Sequence, residues 1–302
     1  MIDAVATTTR VARDVNGAIL AYLRLTKPRI ILLLVITTIP AMMLADGGMP
    51  SLWLILATVL GGSVVAGGAN AMNMYFDRDI DEVMLRTRDR PVPSGQIEPE
   101  KAALFGMALA ASGFFFLQWS VNMLAAGLTI AAFAFYVLVY TLALKRTTPL
   151  NIVIGGAAGA MPPVIGWAAV TGEVGIPALI MFGIVTLWTP PHFWALSLNY
   201  SSDYQRAGVP MLPVVAGPAE TKRQILLYSI ALVAVSLLLV AWSDAGFTYL
   251  VTAGMLGAGF LYFALRLLRS SSARASADLF RYSLIYLALL FGAIAVDALV
   301  KA

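Results

Sequence analysis

The sequence has no cysteine, one histidine and little charge: only 12% of its 302 residues are Asp, Glu, Lys or Arg. Without cysteine there are no disulfides, thiol nucleophiles, iron–sulfur clusters or cysteine zinc sites. Chemistry is left to carboxylates, amides, basic groups and His192. The shortage of charge excludes a soluble globular domain, which at this length needs far more polar surface. The first 28 residues lack the charged start, apolar run and small-residue cleavage site of a secretory signal, and Asp3 and Asp14 do not suit a mitochondrial presequence. Arg10, Arg13 and Arg24, with Ile19, Leu20 and Leu23, are expected to make a short interfacial helix there.

What fills the sequence is apolar. Sixty per cent of the residues are hydrophobic and the mean hydropathy is +0.84. Runs of about 20 apolar residues, enough to cross a hydrocarbon core, recur along it. They predict an all-α integral membrane protein with nine transmembrane helices, near residues 29–46, 52–75, 102–119, 121–142, 150–170, 177–199, 224–242, 247–266 and 280–299. The division expected is a cytoplasmic or interfacial segment over 1–28 and one transmembrane domain over 29–302. Turn chemistry in "DGGMPS", "TGEVG" and "SDAG" joins antiparallel neighbours.

Lysine and arginine set the orientation. Of the 20, all but Lys301 fall in the N-terminal segment or in the loops after the even-numbered spans. That bias places the N-terminus and those loops in the cytoplasm. The pI of 9.4 is then a topology signal, and no nucleic acid is expected as a partner. The long polar loops follow spans two and six, four spans apart and on the same side. This predicts a parallel four-helix pseudo-repeat plus one extra helix, with two acidic loops facing each other.

The first acidic loop, "NMYFDRDIDEVMLRTRDRPVP", gathers nine charged side chains between Asp77 and Arg90. Asn73, Asp77 and Asp81 stand four apart and form one stripe on a helix, which Asn70 joins. Asp79 points away, and Met74 and Phe76 are expected on the lipid face. A solvated loop with helix caps is one reading. A site is the other, favoured because the stripe begins inside the span, where amides and carboxylates are costly unless they bind something. Hard oxygen donors of this kind suit Mg²⁺. Arg86, Arg88 and Arg90 read as positive-inside residues or as a grip on a polyanion, for which a diphosphate is the economical choice beside a metal. Asp79, Glu82 and Asp89 are left as solvated charges.

The second acidic loop repeats the pattern, with Asn199 and Asp203 four apart in "PPHFWALSLNYSSDYQRAGVPMLP". His192 lies on the same helical face as Asn199, and Pro190–Pro191 are expected to break or kink the helix. Lys145 and Arg146 end span four, either as topology charges or to neutralise a leaving diphosphate. Asn151 begins span five near them, and Gly155, Gly156 and Gly159 read as close helix packing.

With NxxxDxxxD in "NMYFDRDID", NxxxD in "NYSSD" and "YTLALKRTT" between them, the sequence resembles the UbiA superfamily of intramembrane prenyltransferases over most of its length. The runs "LKRTTPLNIVIGGAAGAMPPVIGW" and "PHFWALSLNYSSDYQRAGVPMLP" resemble the branch that acts on haem. The resemblance implies transfer of farnesyl from farnesyl diphosphate to a vinyl group of haem B, with water added. It implies Mg²⁺ held by Asn73, Asp77, Asp81 and Asp203, and catalytic roles for Asp77, Asp81, Asp203, Lys145, Arg146 and His192. Asn70, Asn73, Arg86, Arg90, Asn151, Asn199 and Tyr204 would bind substrate. Many superfamily members carry Asp where this sequence has Asn199, which leaves Asp203 as the metal residue of that motif. The resemblance further implies a bacterial inner membrane, an active site on the cytoplasmic side, and a haem A synthase or terminal oxidase assembly factor as partner. The rivals are a prenyltransferase acting on an aromatic quinone precursor and a secondary transporter. A transporter would place its charges nearer the bilayer midplane.

Overall fold

The computed structural model describes residues 17–243, 245–270 and 272–301. Among them there is no strand, and nine helices are long and apolar enough to cross a membrane. A short helix α1 (Gly17–Thr26) precedes them. The spans are α2 (Pro28–Asp46), α3 (Leu52–Phe76), α5 (Pro99–Ser120), α6 with its π-helical end (Met123–Leu144), α7 and α8 together (Asn151–Thr171), α9 (Ile176–Asn199), α12 (Gly217–Trp242), α13 (Phe247–Arg269) and α14 (Ala273–Lys301). Short helices α4 (Arg78–Val83), α10 (Ser201–Arg206) and α11 (Leu212–Val215) lie in the two long loops.

The outer surface carries many large apolar side chains. Trp119 is 95% exposed and Phe247 80%, which in water would invite aggregation and in lipid is the expected solvation. Gly47 and Gly172 adopt positive φ and cap α2 and α8, as the turn chemistry predicts. Arg10 and Arg13 of the expected interfacial helix, and Asp244 of "SDAG", lie outside the described residues. Ile19, Leu20 and Leu23 do form an exposed apolar face on α1.

Each half of the chain has a matching close pair, α3 with α5 and α9 with α12, and α2 packs across on α8. The first pair is held backbone to backbone: a Cβ at Gly68 would stand 2.5 Å from the Gly106 carbonyl. Small residues of this kind let membrane helices approach. Met74 is buried beside Ala21, Leu25 and Ala102, not on the lipid face. The packing of α1 against α3 and α5 takes it from lipid.

The two proline pairs behave differently, and Pro190–Pro191 do so against expectation. Span five breaks between α7 and α8 at Ala160, because Pro162 and Pro163 have no N–H to continue the helix and instead open α8. Helix α9 runs unbroken through Pro190 and Pro191. There the prolines sit mid-span, buried against neighbouring helices, the setting in which membrane helices tolerate them.

Candidate active site

The acidic stripe stands where α3 ends. Asn73 is the last of it inside α3; Asp77 joins α3 to α4, and Asp81 lies on α4. The stripe survives the junction because Asp77 N–H still donates to the Asn73 carbonyl and Asp81 N–H to that of Asp77. Asn73, Asp77 and Asp81 are all buried. Asn73 Nδ2 donates to Asp77 Oδ2 at 2.6 Å and to Thr141 Oγ1 at 3.2 Å.

Cations reach this stripe from three elements. Lys145 Nζ donates to Asp77 Oδ2 at 2.5 Å. Arg90 Nη1 donates to both oxygens of Asp81, at 2.8 and 2.7 Å. Lys27 Nζ donates to Asn73 Oδ1 at 2.9 Å. Arg146 forks onto Asp79 at 2.7 Å through each nitrogen and caps the Phe76 carbonyl at 2.8 Å. Asp79 is therefore no idle solvated charge: its bonds to Arg146 hold its carboxyl down at about 2. They also fix Arg146, whose Nη2 is 4.0 Å from Asp77 Oδ1.

Lys145 reaches Asp77 through an unusual helix end. Residues Phe135–Leu144 are π-helical, and Lys145 N–H donates to the Tyr140 carbonyl, five residues back. That spacing puts Tyr136, Tyr140, Thr141 and Lys145 on one face toward α3. On an α-helix, nine residues turn 900°, leaving Lys145 about half a turn from Tyr136. Extended π geometry is rare and concentrates at functional sites.

Lys27 escaped the sequence reading, although "LTKPR" held a signal. A residue before proline is pushed away from helical geometry. Lys27 instead takes φ 52°, the one positive value among the described non-glycine residues. Left-handed backbone at such a residue costs on the order of 1–3 kcal/mol. The strain is held in place by the Lys27–Asn73 bond and by Asn70 Nδ2, which donates to the Thr26 carbonyl at 2.9 Å. Burial, with Arg90 nearby, pulls the Lys27 ammonium down to about 7.

The second loop folds over the first. Tyr204 of α10 packs with Ile80 and Met84 of the α4 region and with Ile152 of α7. Burial raises its phenol against the opposing pull of Arg86, and the Arg86 guanidinium also lies over the Tyr200 ring at 5.9 Å. Asp203 is buried and pairs with Arg206, which with Arg86 lines a shallow cleft. Asn151 is fully buried; its Nδ2 donates to the Thr148 carbonyl while Oδ1 has no partner.

Two expected site residues turn elsewhere. Asn199 and His192 share a face of α9, but that face packs on α14. Ser276 donates to Asn199 Oδ1 at 2.8 Å. His192 Nδ1 bonds Ser283 Oγ at 2.7 Å, with the ring stacked between Trp188 and Phe280 at 4.2 and 4.5 Å. Helix α9 ends at Asn199 and α10 begins after Tyr200, so the NxxxD spacing of that motif does not form one helical stripe. Nor do Asp77, Asp81 and Asp203 stand together: among the described residues no three acidic or histidine side chains form a metal-holding group. Each carboxylate is drawn onto its own cation instead. Of the carboxylate oxygens among the described residues, only Asp77 Oδ1 is buried without a hydrogen bond.

Below the stripe lies an apolar cavity of about 260 Å³. Asn70, Tyr136, Tyr140 and Ile152 line it near the polar end, and Thr58, Met161 and Ile165 lie far from that end. A cation-rimmed acidic cluster at the mouth of a greasy, aromatic-walled chamber is built for a ligand with a polyanionic head and a long apolar tail.

That arrangement, in a nine-span helical bundle, defines an intramembrane transferase of prenyl groups: the chain belongs to the UbiA prenyltransferase family, whose model matches residues 34–290. Protoheme IX farnesyltransferase 1 of Saccharopolyspora erythraea is 55% identical over 94% of this chain and 92% of its own length. Protoheme IX farnesyltransferase of Gloeobacter violaceus is 51% identical over 94% and 93%. Among solved structures, a digeranylgeranylglyceryl phosphate synthase shares the fold with a TM-score of 0.76 at 20% identity, covering 93% of this chain and 98% of that one. A UbiA homolog from Archaeoglobus fulgidus bound to GPP and Mg²⁺ gives 0.63 at 19% identity, over 91% and 99%. The protein is a multi-pass membrane prenyltransferase.

Proposed function

We propose that the chain transfers farnesyl from farnesyl diphosphate to a vinyl group of haem B, with water supplying a hydroxyl to give haem O. What carries this reading is the cation-rimmed acidic cluster opening onto an apolar cavity, in a chain half identical to proteins named protoheme IX farnesyltransferase.

The residues present fit a Mg²⁺ that arrives with the diphosphate, as the A. fulgidus homolog's GPP and Mg²⁺ suggest. Asp77 would hold it, and Asn73, Asp81 and Asp203 would join by exchanging Lys27, Arg90 and Arg206 for the ion. The unpartnered Asp77 Oδ1 is an oxygen left for such a use, and few protein donors suffice because Mg²⁺ keeps water and phosphate oxygens. When bound, the ion supplies charge stabilisation to the departing diphosphate.

The chain's own groups do the rest. As the C1–O bond breaks, Lys145, Arg146 and Arg90 neutralise charge on the leaving group. Tyr136, Tyr140 and Phe133 line the cavity and offer ring faces to the allylic cation. The vinyl electron pair forms the new bond to C1, leaving positive charge on the carbon beside the porphyrin ring. A water oxygen adds there and its proton is released. The lysine and arginine bias supports a site on the cytoplasmic side, and the membrane proposed is a bacterial inner membrane. Haem O would pass to a haem A synthase or an oxidase assembly factor.

The test is the purified protein incubated with haem B, farnesyl diphosphate and Mg²⁺, with products read by mass. Farnesylated, hydrated haem is expected. Absence of a haem product overturns the reading, and prenylation of a quinone precursor would replace it.

A further inference from the structure

We infer that Gly62 sets the prenyl chain length by standing, without a side chain, where the end of a farnesyl tail lies. The inference rests on the family's prenyl transfer and on the cavity, not on the identity of the acceptor.

The cavity runs down α3 from Asn70 past Gly62 to Thr58. At 1.5 Å per residue, Gly62 is about 12 Å below Asn70 and Thr58 about 18 Å. An extended chain advances by roughly 1.2 Å per bond, so a farnesyl main chain spans roughly 13 Å, a geranyl one roughly 8 Å and a geranylgeranyl one roughly 18 Å. With the diphosphate on the acidic stripe and C1 near Asn70, a farnesyl tail ends level with Gly62. A geranyl tail stops short of it.

Glycine at this position differs in kind from its neighbours. A Cβ at Gly61 would lie 2.5 Å from Leu117, and one at Gly68 would meet the α5 backbone, so those glycines serve packing. A Cβ at Gly62 would meet nothing within 4 Å. Gly159, across the cavity at the break between α7 and α8, is likewise open. Any side chain at Gly62 would therefore project into space that a ligand can use. Beyond it, Thr58 Oγ1 is buried without a partner, whereas Thr37, Thr38, Thr129 and Thr189 bond carbonyls of their own helices. A polar group at that depth disfavours apolar tails that reach further.

The experiment measures equilibrium binding of geranyl and farnesyl thiolodiphosphates, which do not ionise readily, to the full-length protein with Mg²⁺. Wild type is compared with Gly62→Ala, Gly62→Val and Gly62→Leu. The farnesyl-over-geranyl affinity ratio should fall stepwise, by at least tenfold in Gly62→Leu, with geranyl binding kept within threefold. Retained geranyl binding also shows that the variant is folded. An unchanged ratio, or an equal loss for both analogues, overturns the inference. No acceptor is present, so these outcomes do not depend on whether haem is the acceptor.

Discussion

Lys145 and Asp77 meet at 2.5 Å although they lie 68 residues apart and on different spans. The pair is almost wholly shielded, with the carboxylate fully buried and the lysine side chain 14% exposed. Breaking such a pair from one side strands a charge. In the proposed mechanism the pair joins a metal-side carboxylate to a cation for the leaving group.

Asp77→Ala is expected to abolish turnover while the protein still inserts in the membrane and purifies as a folded species. Lys145→Ala should lower kcat by about 10²–10³, the usual cost of losing one group that stabilises developing negative charge. Steady-state kinetics on both variants check this; normal activity in Asp77→Ala would remove it from the site.

Removing divalent metal with a chelator should stop the reaction, and Mg²⁺ should restore it. Ca²⁺ should restore it poorly, because its longer bonds and higher coordination number do not match a site of few carboxylates sharing an ion with phosphate. Full activity in chelator would overturn the metal assignment.

Asp79→Ala should act through Arg146. The pair is substantially exposed, with Asp79 62% and Arg146 38% accessible, so its coupling is expected at under about 1 kcal/mol. A double-mutant cycle on kcat/KM with Arg146→Ala would measure it. Additive losses would show that Asp79 does not position Arg146.

His192→Gln should keep most activity and leave the visible spectrum of bound haem unchanged, because both ring faces are covered and Nδ1 is committed to Ser283. His192→Ala should cost about 1–3 kcal/mol of stability by opening a gap between the Trp188 and Phe280 rings, while Ser283 keeps its bond to the Phe280 carbonyl. Thermal denaturation in detergent reads the stability. A shifted haem spectrum in His192→Gln would make the histidine a ligand.

Much of the bundle was legible because lipid imposes a simple rule: apolar runs of spanning length become helices. The acidic stripe was equally legible, since the period that aligns Asn73, Asp77 and Asp81 is local. What long-range packing decides was not. Met74 reads as apolar and therefore lipid-facing until α1 covers it. His192 and Asn199 share a face by period, yet only the tertiary fold shows that this face meets α14. Helix period also misleads at Lys145, where backbone bonding changes from four residues to five. Lys27 was passed over because its distinguishing feature is a backbone angle.

The π-helical end of α6 makes spacing there a separate constraint from residue identity. One residue gained or lost between Tyr136 and Lys145 would swing the lysine off its partner even if every chemical group were kept. Lineages of this protein should therefore drift freely in side chains such as Leu138, which faces outward at 57% exposure, yet hold the interval fixed. Insertions and deletions would accumulate in the turns at the opposite end of the bundle.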